Sequence, residues 1–206
     1  MSLPSDLLDG YGRFRNGRLA SERERYATLA REGQKPKTMV IACADSRAAP
    51  ETIFDAGPGE LFVMRNVANL VPPDEEGGEN ATAAAIEFAI AGLGVERIMI
   101  LGHARCGGIA ASLNDDLEAL GPGDFIRQWI APLKADRVDA DDPTERQTKM
   151  ERHAIRGSVE RLRGFPQVAD AEREGRLAIL GAWFDIENGE LWALDEGTGE
   201  FERAAR

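Results

Sequence analysis

Thiols and imidazoles are scarce in this chain, whose 206 residues include two cysteines and two histidines. Two cysteines cannot build the dense disulfide framework of a small secreted scaffold. The N-terminus, Met1-Ser2-Leu3-Pro4-Ser5-Asp6, lacks the basic-then-apolar layout of a secretory signal, so a reducing, cytoplasmic setting is expected. No apolar run approaches the length of a membrane span. Positive charge is also short: the formal net charge of −11 argues against the basic stripe of a nucleic-acid-binding surface. Internal repeats and low-complexity tracts are missing. What is left is a chain of ordinary globular composition, long enough for a single domain over residues 1–206 with a substantial core.

Short apolar runs at Thr38–Ala42, Leu61–Arg65, Arg97–Gly102 and Leu177–Phe184 suit strands buried on both faces of a parallel sheet. Helical patterns fall between them, over Ala81–Ala91, Cys106–Leu113 and Met150–Arg163. The alternation predicts an α/β fold with a mostly parallel central sheet and flanking helices. Asn188-Gly189 is a hairpin signal, so Glu190–Leu194 is expected as a short antiparallel edge strand. Val138–Thr148 reads as a solvated loop leading into a helix. Before the first strand, Leu3, Leu7, Leu8, Tyr11 and Phe14 lie on one helical stripe, and Ser21–Arg31 reads as a second, charged helix. Residues 1–33 are therefore expected to form a helical arm outside the sheet, suited to wrapping around a second subunit in a homodimer or a dimer-based assembly.

Both cysteines stand where strands end. Cys43-Ala44-Asp45-Ser46-Arg47 follows the first core strand, and His103-Ala104-Arg105-Cys106-Gly107-Gly108 follows the third. In open α/β sheets the ligand site lies outside the carboxyl ends of the strands, so two motifs sixty residues apart can meet on one ion. A free Cys is most often a small buried apolar residue, and a lone H-x-x-C is weak evidence. Buried structural cysteines, however, are expected within apolar faces, not flanked by Asp, Arg and paired glycines. Two thiolates and one imidazole, from Cys43, Cys106 and His103, suit Zn2+ and leave a fourth position open, the arrangement of a catalytic site. Asp45 could take that position or hydrogen-bond what occupies it. A bidentate pair with Arg47 holds the carboxylate off the metal, and the alternative is an ordinary surface ion pair.

From Lys35 to about Leu194 the chain resembles the β-class carbonic anhydrases. The resemblance is carried by Val40-Ile-Ala-Cys-Ala-Asp-Ser-Arg47, Pro58-Gly-Glu-Leu-Phe-Val-Met-Arg-Asn-Val-Ala-Asn69, Ala84-Ala-Ile-Glu-Phe-Ala89, Gly102-His-Ala-Arg-Cys-Gly-Gly108 and Gly181-Ala-Trp-Phe-Asp-Ile186. It implies one zinc per chain and reversible hydration of carbon dioxide to bicarbonate and a proton, by attack of zinc-bound hydroxide. It also implies that Gln34, nine residues before Cys43, serves the neighbouring subunit's pocket. Phe62 and Val67 match the apolar wall that receives carbon dioxide. Phe88 replaces a tyrosine that commonly lines this pocket, keeping the ring without the hydroxyl. Gly107 and Gly108 are expected to let backbone approach the metal and its anionic ligand closely.

In some relatives bicarbonate at a Trp–Arg–Tyr site helps Asp swing onto zinc. Here the Arg is Arg65, but Val40 and Phe184 stand at the other two positions. The open form, with Asp45 on Arg47, is therefore expected. Relatives acting on carbonyl sulfide or carbon disulfide share the ligand motifs, so that activity is an alternative, as is a non-catalytic zinc- or bicarbonate-responsive protein. His153 reads as a surface residue, and Trp129, Trp183 and Trp192 as packing residues.

Overall fold

The computed structural model describes residues 3–73, 80–114 and 124–204. Three helices come first: α1 (Ser5–Asn16), α2 (Arg18–Ser21) and α3 (Arg23–Glu32). There follow β1 (Thr38–Cys43), α4 (Pro50–Ile53), β2 (Leu61–Asn66), α5 (Ala81–Glu87), β3 (Arg97–His103) and α6 (Gly107–Leu113). The chain continues through α7 (Phe125–Ala135), α8 (Pro143–Arg163), α9 (Pro166–Arg173), β4 (Ala178–Asp185), β5 (Glu190–Leu194) and β6 (Phe201–Arg203).

The six strands form one sheet in the order β2-β1-β3-β4-β5-β6. β1 to β4 are parallel, and β5 and β6 return antiparallel. Thr38 pairs with both Leu61 and Arg97, and Arg97 pairs with Ala178, so the strands start level. Their carboxyl ends are level too, which brings Cys43 and His103 to one edge of the sheet.

Period-two alternation divides the core. Met39, Ile41, Ile98, Ile100, Ile179 and Trp183 face α5, α8 and α9, where Ile86, Ile155, Val159, Leu162, Val168 and Ala171 cover them. The opposite face carries Val40, Ala42, Leu101 and Ala182, with Ile53, Phe54, Met99 and Phe184 packed against it. A third cluster forms at the strand ends from Cys43, Ala68, Leu70, Cys106, Ile109, Ile130, Leu133, Met150 and Ala154.

Several elements differ from the sequence-based expectation. The stretch Val138–Thr148 is not all loop: α8 begins at Pro143, with Asp142 accepting from the Glu145 N–H as its N-cap. Asp-Pro is a helix start, because Pro at the first turn needs no N–H partner. The helical run from Ala81 changes to π-helix over Phe88–Leu93 and ends at Gly94 in the left-handed region. α7, α9 and β6 had no strong sequence signal. α7 contains Pro132, ordinarily a helix breaker.

The N-terminal arm is helical as expected, and none of its described residues is buried. Phe14 packs edge-on against Tyr26 with ring centroids 5.9 Å apart. Leu3, Leu7, Leu8 and Tyr11 remain exposed, Leu7 by 60% and Tyr11 by 57%. α3 is tied to the body by Arg25, which donates to Glu60 at 2.9 Å.

Candidate metal centre

Cys43 ends β1, His103 ends β3, and Cys106 is the N-cap residue of α6. All three are buried, and their ligand atoms lie within 4.8 Å of one another, a set that could hold a metal ion. The two Sγ atoms are 3.8 Å apart. His103 Nδ1 bonds the Ala104 carbonyl at 2.8 Å, which fixes the proton there. Its Nε2 is buried and has no hydrogen-bond partner in the protein, so its lone pair is aimed into the cluster. A buried nitrogen left in that state is costly unless something binds it.

The electrostatics favour a thiolate at Cys43 and a neutral thiol at Cys106. Hydrogen bonding from the Cys106 thiol pulls the Cys43 thiol well below its ordinary value against the opposing effect of burial, helped by His103 and the backbone N–H groups of Asp45 and Ala68. The same shared proton, together with burial, pushes Cys106 upward, while the N–H groups of Ile109 and Gly108 act in the opposite direction. Burial pulls the His103 ring down, but the neighbouring Cys43 sulfur and the Ala104 carbonyl outweigh this and leave it raised. A dication would replace that shared proton, since coordinating thiols are deprotonated outright.

Asp45 lies beside this cluster and points at Arg47. Arg47 Nε donates to Oδ1 at 3.0 Å and Nη2 to Oδ2 at 2.7 Å, and the Arg47 N–H also reaches Oδ1 at 2.9 Å. These bonds hold the Asp45 carboxyl far below the usual carboxylate range. Arg47 Nη2 reaches the Arg105 carbonyl at 3.1 Å, tying one motif to the other. Arg65, from β2, donates to the carbonyls of Cys43 and Asp45 at 2.9 and 2.6 Å and so supports the ligand loop from below. Val40 and Phe184 belong to the apolar cluster on the sheet face and offer no polar group there.

The turn Val67-Ala68-Asn69 closes one side of the centre. Ala68 and Asn69 have positive φ, at 65° and 49°, conformations that cost non-glycine residues energy and often mark functional turns. The turn is braced by Trp129, whose Nε1 donates to the Val67 carbonyl at 2.8 Å. Val67 and Phe88 are exposed, Phe88 by 53%, and Phe88 packs against Phe62 with centroids 5.8 Å apart. Of the two glycines, Gly108 is the close-approach position: a Cβ there would meet Val67 Cγ1 at 2.6 Å and Ala68 Cβ at 3.0 Å. A Cβ on Gly107 would meet nothing within 4 Å.

Gln34 is exposed, in an open groove of about 480 Å³ lined by Tyr26, Leu29, Gly33, Pro58 and Gly59 among others. His153 is half-buried on α8. Two tryptophans read as packing residues are also donors: Trp129, described above, and Trp183, whose Nε1 reaches Glu151 Oε2 at 3.0 Å. Glu151 was missed by sequence reasoning. It is buried beside Cys106 and accepts the Cys106 N–H at 3.0 Å. Burial pushes its carboxyl above the usual range, against the pull of three N–H donors from Cys106, Trp183 and Gln147. A signal was present, since Glu151 falls four residues before Ile155 on the stripe that continues through Val159 and Leu162.

Comparison with known proteins agrees with this arrangement. The sequence model of the family described as Carbonic anhydrase matches residues 38–191, which span both ligand motifs. The chain is 36% identical over 210 residues to beta carbonic anhydrase 3 of Arabidopsis thaliana, covering 94% of this chain and 81% of that one. It is 35% identical over 201 residues to chloroplastic beta carbonic anhydrase 5 of the same plant, covering 92% of this chain but 65% of the relative's length. Among solved structures, the tetrameric beta-carbonic anhydrases of the ascomycete Sordaria macrospora superimpose with a TM-score of 0.83 at 29% identity, over 98% of both chains. Sheet order, paired ligand motifs and similarity along nearly the whole length place this chain in the β-carbonic anhydrase family.

Proposed function

We propose that the chain is a single-domain zinc carbonic anhydrase that hydrates carbon dioxide reversibly to bicarbonate and a proton, with Cys43, His103 and Cys106 holding the ion. The observation that carries this reading is the unpartnered, buried His103 Nε2 facing two cysteine sulfurs, with an ionised Asp45 held beside them by Arg47. Two thiolates and one imidazole match zinc in softness and number and leave room for one more ligand. Zinc bound there supplies the Lewis acidity that makes water a usable nucleophile near neutral pH.

The chain's own groups do the rest. Arg47 occupies both Asp45 oxygens and keeps the carboxylate from competing for the metal. Because Asp45 stays ionised, it can only accept a hydrogen bond, so it orients a water proton toward itself. Phe62, Val67 and Phe88 form an apolar wall for an uncharged linear substrate. The backbone N–H groups of Gly108 and Ile109 face the Cys106 sulfur and stabilise its charge. Gly107, beside them, leaves open space for the substrate's oxygen atoms.

The working unit in this reading is at least a homodimer, in the cytoplasm. The exposed apolar stripe of α1 supports it. Metal analysis and stopped-flow carbon dioxide hydration on the purified protein test the proposal. One zinc per chain and activity lost together with metal in Cys106→Ser are expected. Zinc retained in full by that variant would refute the ligand assignment.

A further inference from the structure

Helix α8 crosses the sheet where two strands carry glycine. A Cβ at Gly102 would lie 2.6 Å from Ile155 Cδ1, and one at Gly181 would lie 3.1 Å from Ile155 Cγ2. Ile155, fully buried, fills that space. Residues four apart share a helix face, so Glu151 and then Gln147 continue the same line toward the strand ends. There they meet Cys106. Glu151 Oε1 accepts from the Cys106 N–H at 3.0 Å and from Gln147 Nε2 at 3.0 Å, and Oε2 accepts from Trp183 Nε1 at 3.0 Å. Gln147 Nε2 also reaches the Cys106 carbonyl at 3.3 Å. Both peptide groups of this ligand residue are therefore held by one turn of α8.

Cys106 needs such a partner. As the N-cap residue of α6 it has extended backbone, φ −67° and ψ 120°, and its N–H has no place in the helical ladder. Glu151 is 2% exposed, and the three groups that donate to it, from Cys106, Trp183 and Gln147, are neutral. A buried carboxylate in contact with neutral donors only is an expensive group to keep. Capping one N–H does not require it, since a neutral acceptor would suffice.

We propose that Glu151, assisted by Gln147, is a positioning residue: it sets Cys106 in the metal centre and thereby controls how tightly the chain holds its ion. The inference rests on the metal reading of the Cys43–His103–Cys106 cluster. The carboxylate accepts on both oxygens. An amide offers one acceptor and one NH2, so Glu151→Gln turns N–H against N–H either at Cys106 or at Trp183. In either orientation Cys106 loses its charged acceptor, the stronger kind, while shape and volume are kept.

The test is zinc affinity, by competition with a chromophoric chelator, together with the visible spectrum of the cobalt(II)-substituted protein. Wild type, Glu151→Gln, Gln147→Leu and Ile155→Val are compared as full-length proteins. Glu151→Gln is expected to bind zinc about 10- to 100-fold more weakly and to shift the cobalt bands, with unchanged far-UV circular dichroism. Gln147→Leu should show the same changes in smaller measure. Ile155→Val loosens the core without touching these bonds and should keep wild-type affinity and spectrum. Wild-type affinity and bands in folded Glu151→Gln would overturn the proposal, as would equal weakening by Ile155→Val. Should Glu151→Gln not fold, Gln147→Leu decides in the same two directions. A wild-type chain that binds no zinc would remove the metal reading itself and this inference with it.

Discussion

Arg47 grips both carboxylate oxygens of Asp45, at 3.0 Å from Nε and 2.7 Å from Nη2, while Asp45 Oδ2 stands 4.0 Å from His103 Nε2. The carboxylate is thus within reach of the metal cluster and turned away from it. The arginine is 51% exposed, so the pair contributes little to global stability. In the proposed mechanism its consequence is local: it decides which atom faces the fourth metal position.

Arg47→Ala should therefore leave the fold and its thermal midpoint nearly unchanged while cutting carbon dioxide hydration by about 10-fold or more. Stopped-flow rates read beside a thermal melt check this. Wild-type turnover in the folded variant would remove Asp45 and Arg47 from the proposed mechanism.

The two glycines after Cys106 should behave differently. Gly108→Ala forces a Cβ into Val67 and Ala68 and should cost about 1–3 kcal/mol by overpacking, with weaker metal retention, because α6 must shift away from the Cys106 sulfur. Gly107→Ala meets open space and should stay within about 0.5 kcal/mol of wild type. Denaturant melts of both variants give the comparison.

The arm's contact with the body carries a pH signature. Its bond with Arg25 holds Glu60 below the ordinary glutamate value. For a carboxylate with a depressed folded pKa, the stabilisation is complete above the unfolded value and disappears as pH falls through the folded one. Glu60→Gln should loosen α3 slightly at pH 7, and the difference should fade as pH falls below the ordinary glutamate range and through the lowered folded value. Amide exchange of α3 in the two proteins would show it, and a difference that persists at low pH would contradict the assignment.

Charging the exposed stripe should separate the subunits. Leu7→Glu with Tyr11→Glu is expected to convert the assembly to monomer in sedimentation velocity and to lower activity with it, because Gln34 then loses the neighbouring pocket. A wild-type chain that is monomeric and fully active would end that part of the account.

Much of this was legible in the residues. Short apolar runs placed β1 to β4, although β2, at the edge of the sheet, is only half-buried, and Asn188-Gly189 located β5. Cys43 and His103-x-x-Cys106 announced themselves by sitting at strand ends among polar neighbours. What was hidden depends on tertiary contact. The three-residue β6 exists because Phe201 is buried and Leu194 pairs with it, and α7 persists around Pro132 because Ile130 and Leu133 are buried against the metal-side cluster. Glu151 looked like one more charge on a charged helix. Only the packed fold brings it to the Cys106 N–H.

The central claim is that this cluster is a zinc site from which Asp45 is held away. Anomalous diffraction at the zinc edge, from crystals of the purified protein near neutral pH, tests it most directly. The account predicts one zinc peak per chain, between Cys43 Sγ, Cys106 Sγ and His103 Nε2, with Asp45 still paired to Arg47. A map with no zinc at that position, or with Asp45 bound to it, would contradict the account.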